Sequence, residues 1–242
     1  LLAEHGSTRL ATTGSRSAES SDEPADDVAA EIDDAITDSV ASLEAQARRV
    51  ETHVGVPCEV IVAVDGQSPA STVRQAATES NCDLIAVPYE SEYGTVTPFV
   101  KALFRGDTDV LVHRSVDGRT DWERIMVPVR RAGGVAHSLI DFAIRLSRRT
   151  GRISVCHCID REGRRREADA MLENLVETFE GNLETRVARS SIERFLAANA
   201  PSYDLVLIGA SRDRSMASRL ISPPTFERLE DLECDVAIVD RS

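Results

Sequence analysis

The sequence predicts an α/β protein of two tandem units, each a doubly wound, parallel, five-stranded sheet with helices on both faces. Three observations carry that reading. Short runs such as "ISVCHCI" and "DLVLIGA" are apolar almost throughout, as strands covered on both faces must be. They alternate with segments whose apolar residues recur at helical spacing, the pattern of β-α units closing around a parallel sheet. Landmarks of one half also return in the same order in the other, which marks an internal repeat.

The second half, residues 122–242, reads as the complete unit. "RIMVPVR" (124–130) is a strand, and the helix after it carries Leu139, Phe142, Ala143 and Leu146 on one face. Gly151 stops that helix before the strand "RISVCHCI" (152–159). "RREADAMLENLVETFEG" is helical, with Ala168, Met171, Leu172, Leu175, Val176 and Phe179 on the buried stripe. "LETRVAR" (183–189) is a strand, "SIERFLAANAPSY" a helix and "DLVLIGA" (204–210) a strand. A polar loop and a short helical piece then lead to the last strand, "DVAIVD" (235–240).

The first half, residues 1–115, repeats this order from a later starting point. "LLAEHGSTRLATT" (1–13) parallels "LSRRTGRISVCHC" (146–158), with Gly6 standing where Gly151 does. A Ser/Asp/Glu/Pro-rich loop follows, at about 15–26. The helix from about Asp26 to His53 places Val28, Ile32, Ala35, Ile36, Leu43, Ala47 and Val50 on one stripe. "CEVIVAVD" (58–65) reads as a strand and "PASTVRQAATESN" as a helix. "CDLIAVPYE" (82–90) matches "YDLVLIGAS" (203–211), and "DVLVHRS" (109–115) matches "DVAIVDRS" (235–242). Leu1 aligns inside the first helix of the complete unit. The expectation is therefore that the first strand and most of the first helix of this half precede Leu1. "RSVDGRTDWE" (114–123) connects the halves.

Composition narrows the function classes. With 242 residues, 42% of them hydrophobic and 29% charged, the chain can build sizeable cores. No apolar run approaches a membrane span, and the N-terminus lacks a basic-then-apolar leader pattern, so a soluble, cytoplasmic protein is expected. The net charge is −13. Residues 1–115 hold 20 acidic and 8 basic side chains, whereas 116–242 hold 21 and 20. Lys101 is the only lysine; every other basic residue is arginine. An acidic, lysine-poor surface suits a salt-saturated cytoplasm, so a halophilic source is expected. General nucleic-acid binding is excluded, because the first half would repel phosphate.

The chemistry-bearing residues form no familiar constellation. Cysteines 58, 82, 156, 158 and 234 have no disulfide-framework spacing. In "ISVCHCID", strand alternation sends Cys156 and Cys158 to one face and His157 to the other. That is poor geometry for one metal, and buried thiols are expected instead. No nucleophile elbow, Cys-His pairing or His-Glu-x-x-His run occurs, so no catalysis is expected. His137, after "AGGVA", is the histidine nearest the expected pocket.

Taken together, the strand ending "VPVR", the second strand "ISVCHCID", "YDLVLIGAS" and "CDVAIVDR" resemble a universal stress protein domain. The resemblance covers 122–242, with 1–115 as its truncated companion. The acidic tandem is also similar to the paired cytoplasmic C-terminal domains of some haloarchaeal amino-acid and cation transporters. Family members that bind ATP use a Gly-x2-Gly-x9-Gly-Ser/Thr loop after the fourth strand, where glycine lets backbone N–H groups reach phosphate. Carried onto the second half, those positions are Gly209, Arg212, Ser222 and Pro223; Pro223 has no N–H to give. In the first half they are Pro88, Ser91, Lys101 and Ala102. The acidic residue that contacts adenine falls on Arg130. The resemblance therefore implies a nucleotide-free, cofactor-free relative.

One alternative stays open. Arg130, Arg212, Arg214 and Arg219 could converge at the carboxyl ends of the strands, where open sheets bind ligands, and grip a different anion. The family resemblance also implies that the final strands of the two halves pair as a pseudo-dimer, which can pair again with a second chain. A stress-related regulatory role through protein contacts is the expectation, in its sharper form as the cytoplasmic tail of a transporter.

Overall fold

A computed structural model describes residues 25–61, 68–89, 91–92, 95–210 and 231–241. The chain forms two compact units, Leu1–Cys82 and Asp83–Ser242. This boundary differs from the one expected from the sequence, at the connector of residues 114–123, which lies inside the second unit.

In the first unit, helix α1 spans Ala25–Val54 and buries Leu43 and Ala47 of its stripe. Gly55, at φ 72°, ends it, and Glu51 accepts the Cys58 N–H at 2.8 Å to brace the turn. Helix α2, Pro69–Glu79, opens on Pro69 and is capped by the Ser68 hydroxyl, which accepts from the Ser71 N–H. Its inward face is Ala70, Val73 and Ala77, at i, i+3 and i+7. The strand expected over 58–65 is not found in its described part. Residues 58–61 carry no strand structure, and no described segment offers them a ladder partner. Residues 62–65 lie outside the described residues, as do 1–24 with Gly6.

In the second unit the elements follow in order: β1 (Leu84–Pro88), β2 (Ser91–Glu92), β3 (Thr95–Val96), α3 (Pro98–Leu103), β4 (Asp109–Arg114), β5 (Arg124–Pro128), α4 (Gly134–Leu146), β6 (Arg152–Ile159), α5 (Arg165–Val176), β7 (Asn182–Arg189), α6 (Ile192–Asn199), β8 (Leu205–Gly209) and β9 (Asp235–Asp240). The helical piece expected before β9 lies outside the described residues. Strands β2 and β3 form a small hairpin ladder of their own.

Among the described residues the main sheet has seven strands, in the order β1-β4-β9-β8-β5-β6-β7. Residues 122–242 supply five of them, all mutually parallel. Strands β1 and β4, from the first half, are parallel to each other. They join through an antiparallel pairing of β4 with β9, in which Val112 stands opposite Ile238. The described strands of both halves thus lie in one sheet.

Both edges are protected. The Tyr89 N–H donates to the His113 carbonyl at 2.7 Å, so alternation turns the Pro88 nitrogen away from β4, where a missing N–H breaks no ladder bond. At the other edge β7 carries Glu184, Arg186 and Arg189.

The core explains the strand composition. Ile125, Val127, Val129, Ile153, Val155, Leu205, Leu207, Ala237 and Val239 form one face of the sheet. Helix α4 covers it with Ala136, Leu139, Ile140, Ala143 and Ile144, and α5 with Leu172 and Leu175. Each of the larger side chains contributes about 1.5–3 kcal/mol by leaving water. The other face carries Met126, Cys156 and Val206, and Phe195 and Leu196 of α6 are buried as well. Helix α4 ends through Arg148 and Arg149, both left-handed at φ 52° and 65°. Gly151 is required next: a Cβ there would stand 2.5 Å from the Glu123 carbonyl oxygen.

Candidate functional site

In an open parallel sheet, ligands sit at the carboxyl ends of the strands where the strand order reverses. Here the reversal falls between β5, whose successors β6 and β7 run to one side, and β8, whose successor β9 runs to the other. The residues at that point are Val129 and Arg130 after β5, Gly209 and Ala210 at the end of β8, and the start of α4.

Among the described residues, no side chain caps the start of α4. Its cap position is Gly133 at φ 155°, a conformation that favours glycine. His137 turns back along the helix, its Nδ1 3.1 Å from the Gly133 carbonyl, and its ring packs 5.6 Å from that of Phe179. Its contacts are those of a helix-packing residue. His157 is half-buried and donates from Nδ1 to the Val129 carbonyl at 2.9 Å. With the Val129 N–H donating to the Cys156 carbonyl at 2.8 Å, this fastens the end of β5 to β6.

Gly209 has a packing role. A Cβ built on it would lie 2.8 Å from Leu139 Cδ1 and 3.2 Å from Val135 Cγ1. The bare backbone lets α4 approach β8 closely. The Ala210 N–H, one residue on, is taken by the Val239 carbonyl at 2.8 Å. Arg130 is exposed and, like Arg131, has no ion-pair partner among the described residues. Arg212, Arg214, Arg219, Ser222 and Pro223 lie outside the described residues. In the first half, Pro88 ends β1 and Ser91 falls in β2, while Lys101 and Ala102 lie within helix α3. Two of the four positions that match a phosphate loop are therefore in strands there and two in a helix.

Burial disfavours the thiolate form of both cysteines in the Cys-His-Cys run. Burial pushes Cys156 up to about 12 and Cys158 up to about 11, the second helped by Glu193. Cys156 and Cys158 alternate with His157 as a strand requires. No group of residues that could hold a metal occurs among the described residues.

A second cluster, at the amino ends of β5, β8 and β9, escaped sequence reasoning. Asp204 is buried and accepts from the Glu123 N–H at 3.0 Å, the Arg124 N–H at 2.8 Å, Arg124 Nη2 at 3.0 Å and Arg119 Nη1 at 2.9 Å. Burial alone would raise its carboxyl, but the Arg124 guanidinium and the two N–H groups outweigh that and hold it below the usual range. Asp235, also buried, accepts from the Val116 N–H and from Trp122 Nε1, each at 2.8 Å. The two aspartates clasp both ends of the connector. The sequence signal was there: an aspartate opens each of "DLVLIGA" and "DVAIVD", where burial demands partners.

No family model matches the chain, and no curated protein matches it. Solved structures do. A universal stress protein from Archaeoglobus fulgidus is similar over 88% of this chain and 80% of its own, with a TM-score of 0.63 and 14% identity. A functionally unknown protein from Pseudomonas aeruginosa is similar over 83% of this chain and 77% of its own, with a TM-score of 0.57 and 19% identity. At such identities the likeness is one of fold.

Proposed function

We propose that the chain is a universal stress protein-like regulatory module that acts through protein contacts and holds no ATP in a glycine-lined phosphate loop. The observation that carries this reading is Gly209. The one glycine kept from the phosphate-loop pattern is occupied by the close approach of Val135 and Leu139, and the neighbouring Ala210 N–H is already bonded. An arginine at position 130 in place of a carboxylate adds to it. The pairing of β4 with β9 supports the pseudo-dimer reading, in which the two halves are tandem copies joined by their final strands, and a further pairing of that pseudo-dimer with a second chain belongs to the same proposal. The finer reading is the cytoplasmic regulatory tail of a halophile's amino-acid or cation transporter. It rests on the acidic tandem composition, and the gene sequence upstream of Leu1 tests it by the presence or absence of membrane spans.

A second reading has its own support. Among the described residues, no side chain caps the start of α4 and no acidic group pairs with Arg130 or Arg131, and these features stand together at the topological switch point, which suits an anion sensor. Calorimetry with ATP, AMP and cyclic dinucleotides in molar KCl separates the two. Affinities weaker than millimolar support the contact module. Micromolar binding that disappears in Arg212→Ala overturns it in favour of the sensor.

A further inference from the structure

The ladder of β1 with β4 repeats that of β8 with β9, residue for residue. Leu84 stands against Asp109 as Leu205 does against Asp235, and Pro88 against His113 as Gly209 does against Val239. The closing bond is the same as well: the Tyr89 N–H donates to the His113 carbonyl at 2.7 Å, and the Ala210 N–H to the Val239 carbonyl at 2.8 Å. Position 83 therefore corresponds to position 204, and both hold aspartate.

Asp204 receives the strand on the far side of β8. Its carboxylate takes the N–H groups of Glu123 and Arg124 and the Arg124 guanidinium, while its own N–H donates to the Arg124 carbonyl at 2.8 Å. From that anchor β5 runs parallel to β8, with Ile125 against Leu205 and Met126 against Val206. Asp83 is exposed and holds no such group among the described residues. Its neighbour across the ladder, Asp109, is engaged by Arg241 at 2.8 Å. No described strand lies on the outer side of β1. Pro88 closes only the carboxyl end of that edge. β5 meets β8 at Leu205 and Val206, and the matching positions, Leu84 and Ile85, lie clear of Pro88.

We propose that Asp83 and the outer edge of β1 form a receptor for a parallel strand, whose occupant is the first strand of the same half, expected upstream of Leu1. The Asp83 carboxylate takes the N–H groups of the first two residues of that strand, which sets its direction and its register together. An exposed carboxylate at this point also calls for an arginine at the opening of the strand, as Arg124 opens β5. The inference rests on the reading of the halves as tandem copies and adds to it a residue with a defined task.

Cys82 reports on this edge directly, being exposed and next to Asp83. The register of β5 on β8 sets position 123 beside position 203, the counterpart of Cys82. Neighbouring strands stand about 4.8 Å apart, within reach of a disulfide. Two synthetic peptides serve as surrogate strands: residues 123–130 carrying Glu123→Cys, and residues 124–130 followed by a terminal cysteine. Each is offered as a mixed disulfide with a small thiol, which leaves when Cys82 attacks. Peptide mass mapping gives the ratio of the two captures at Cys82, in which the reactivity of the thiol itself cancels. The first peptide should be captured in clear excess, and Asp83→Asn should lower the ratio about tenfold, the size of one charged hydrogen bond. A ratio near one, or a ratio that Asp83→Asn leaves unchanged, overturns the receptor. Such a failure would not touch the tandem reading, which stands on the matched ladders. Extending the chain by its native upstream residues should block capture of the first peptide. Capture that persists in the extended chain assigns the edge to another occupant and overturns the proposal.

Discussion

Replacing Gly209 by alanine tests whether that glycine serves packing or phosphate. The new Cβ would stand 2.8 Å from Leu139 Cδ1 and 3.2 Å from Val135 Cγ1. Ordinary carbon contacts lie at about 3.5–4.0 Å, so both neighbours must retreat. Val135 is 46% exposed and can swing outward, but Leu139 is 3% exposed and is held within the core. Forcing a methyl into such a site costs about 1–3 kcal/mol. With a urea slope of about 1–3 kcal/mol per molar, the midpoint should fall by about 1 M at unchanged slope. The decisive assay is a double-mutant cycle. Leu139→Ala alone should cost about 2–5 kcal/mol, and it vacates the volume the new methyl needs. The double variant should therefore be more stable than the two single costs predict, by at least about 0.5 kcal/mol. A neutral Gly209→Ala, or strict additivity with Leu139→Ala, would refute the packing argument.

Other outcomes follow from the same structure. Asp204→Asn should destabilise the fold by about 3 kcal/mol, read by urea unfolding at pH 7, because two arginines and two N–H groups are built around a charge. Since the Asp204 carboxyl is held below its ordinary range in the folded state, its contribution is present above the unfolded titration range, near pH 4. It is lost as pH falls through the lower folded value, and a stability difference from Asp204→Asn that persists undiminished at pH 2 would contradict this. Iodoacetamide at pH 8 should label exposed Cys82 first and reach Cys156 and Cys234 only after unfolding, as peptide mass mapping would show. Gly151→Ala should cost more than Gly209→Ala, because its nearest neighbour is the backbone carbonyl of Glu123, which cannot rotate away. Equal thermal midpoints for the two variants would count against that ranking.

The strands and helices of 122–242 were legible because their signal is local. Apolar runs of strand length, helical stripes and the stop at Gly151 each sit within a few residues of what they predict. The failure at Cys58–Ile61 shows the limit. "CEVI" has strand composition, but a strand is a relation to a partner, and no local pattern supplies one. The candidate site divides the same way. Pro223 and Arg130 told against a phosphate loop through their own chemistry. The role of Gly209 became visible only when Leu139, seventy residues earlier in the chain, was brought against it. The clasp of Asp204 and Asp235 was missed for the same reason: its donors Arg119, Trp122 and Val116 are distant in sequence from both carboxylates.

The register of the seam has a consequence for how the two sides can change. Val110 faces Asp240 as Arg114 faces Val236, with Val112 and Ile238 opposite each other at the centre, so the ladder has the form of a two-fold contact. Between separate identical chains, any substitution at such a contact appears twice and must suit itself. Within one chain the two strands meet at a fixed local concentration, whatever the dilution of the protein, and each can be altered alone. Leu111 already stands where its counterpart is Ala237, and His113 where its counterpart is Val239. A titratable side chain could enter this seam on one side without burying a second copy of itself on the other.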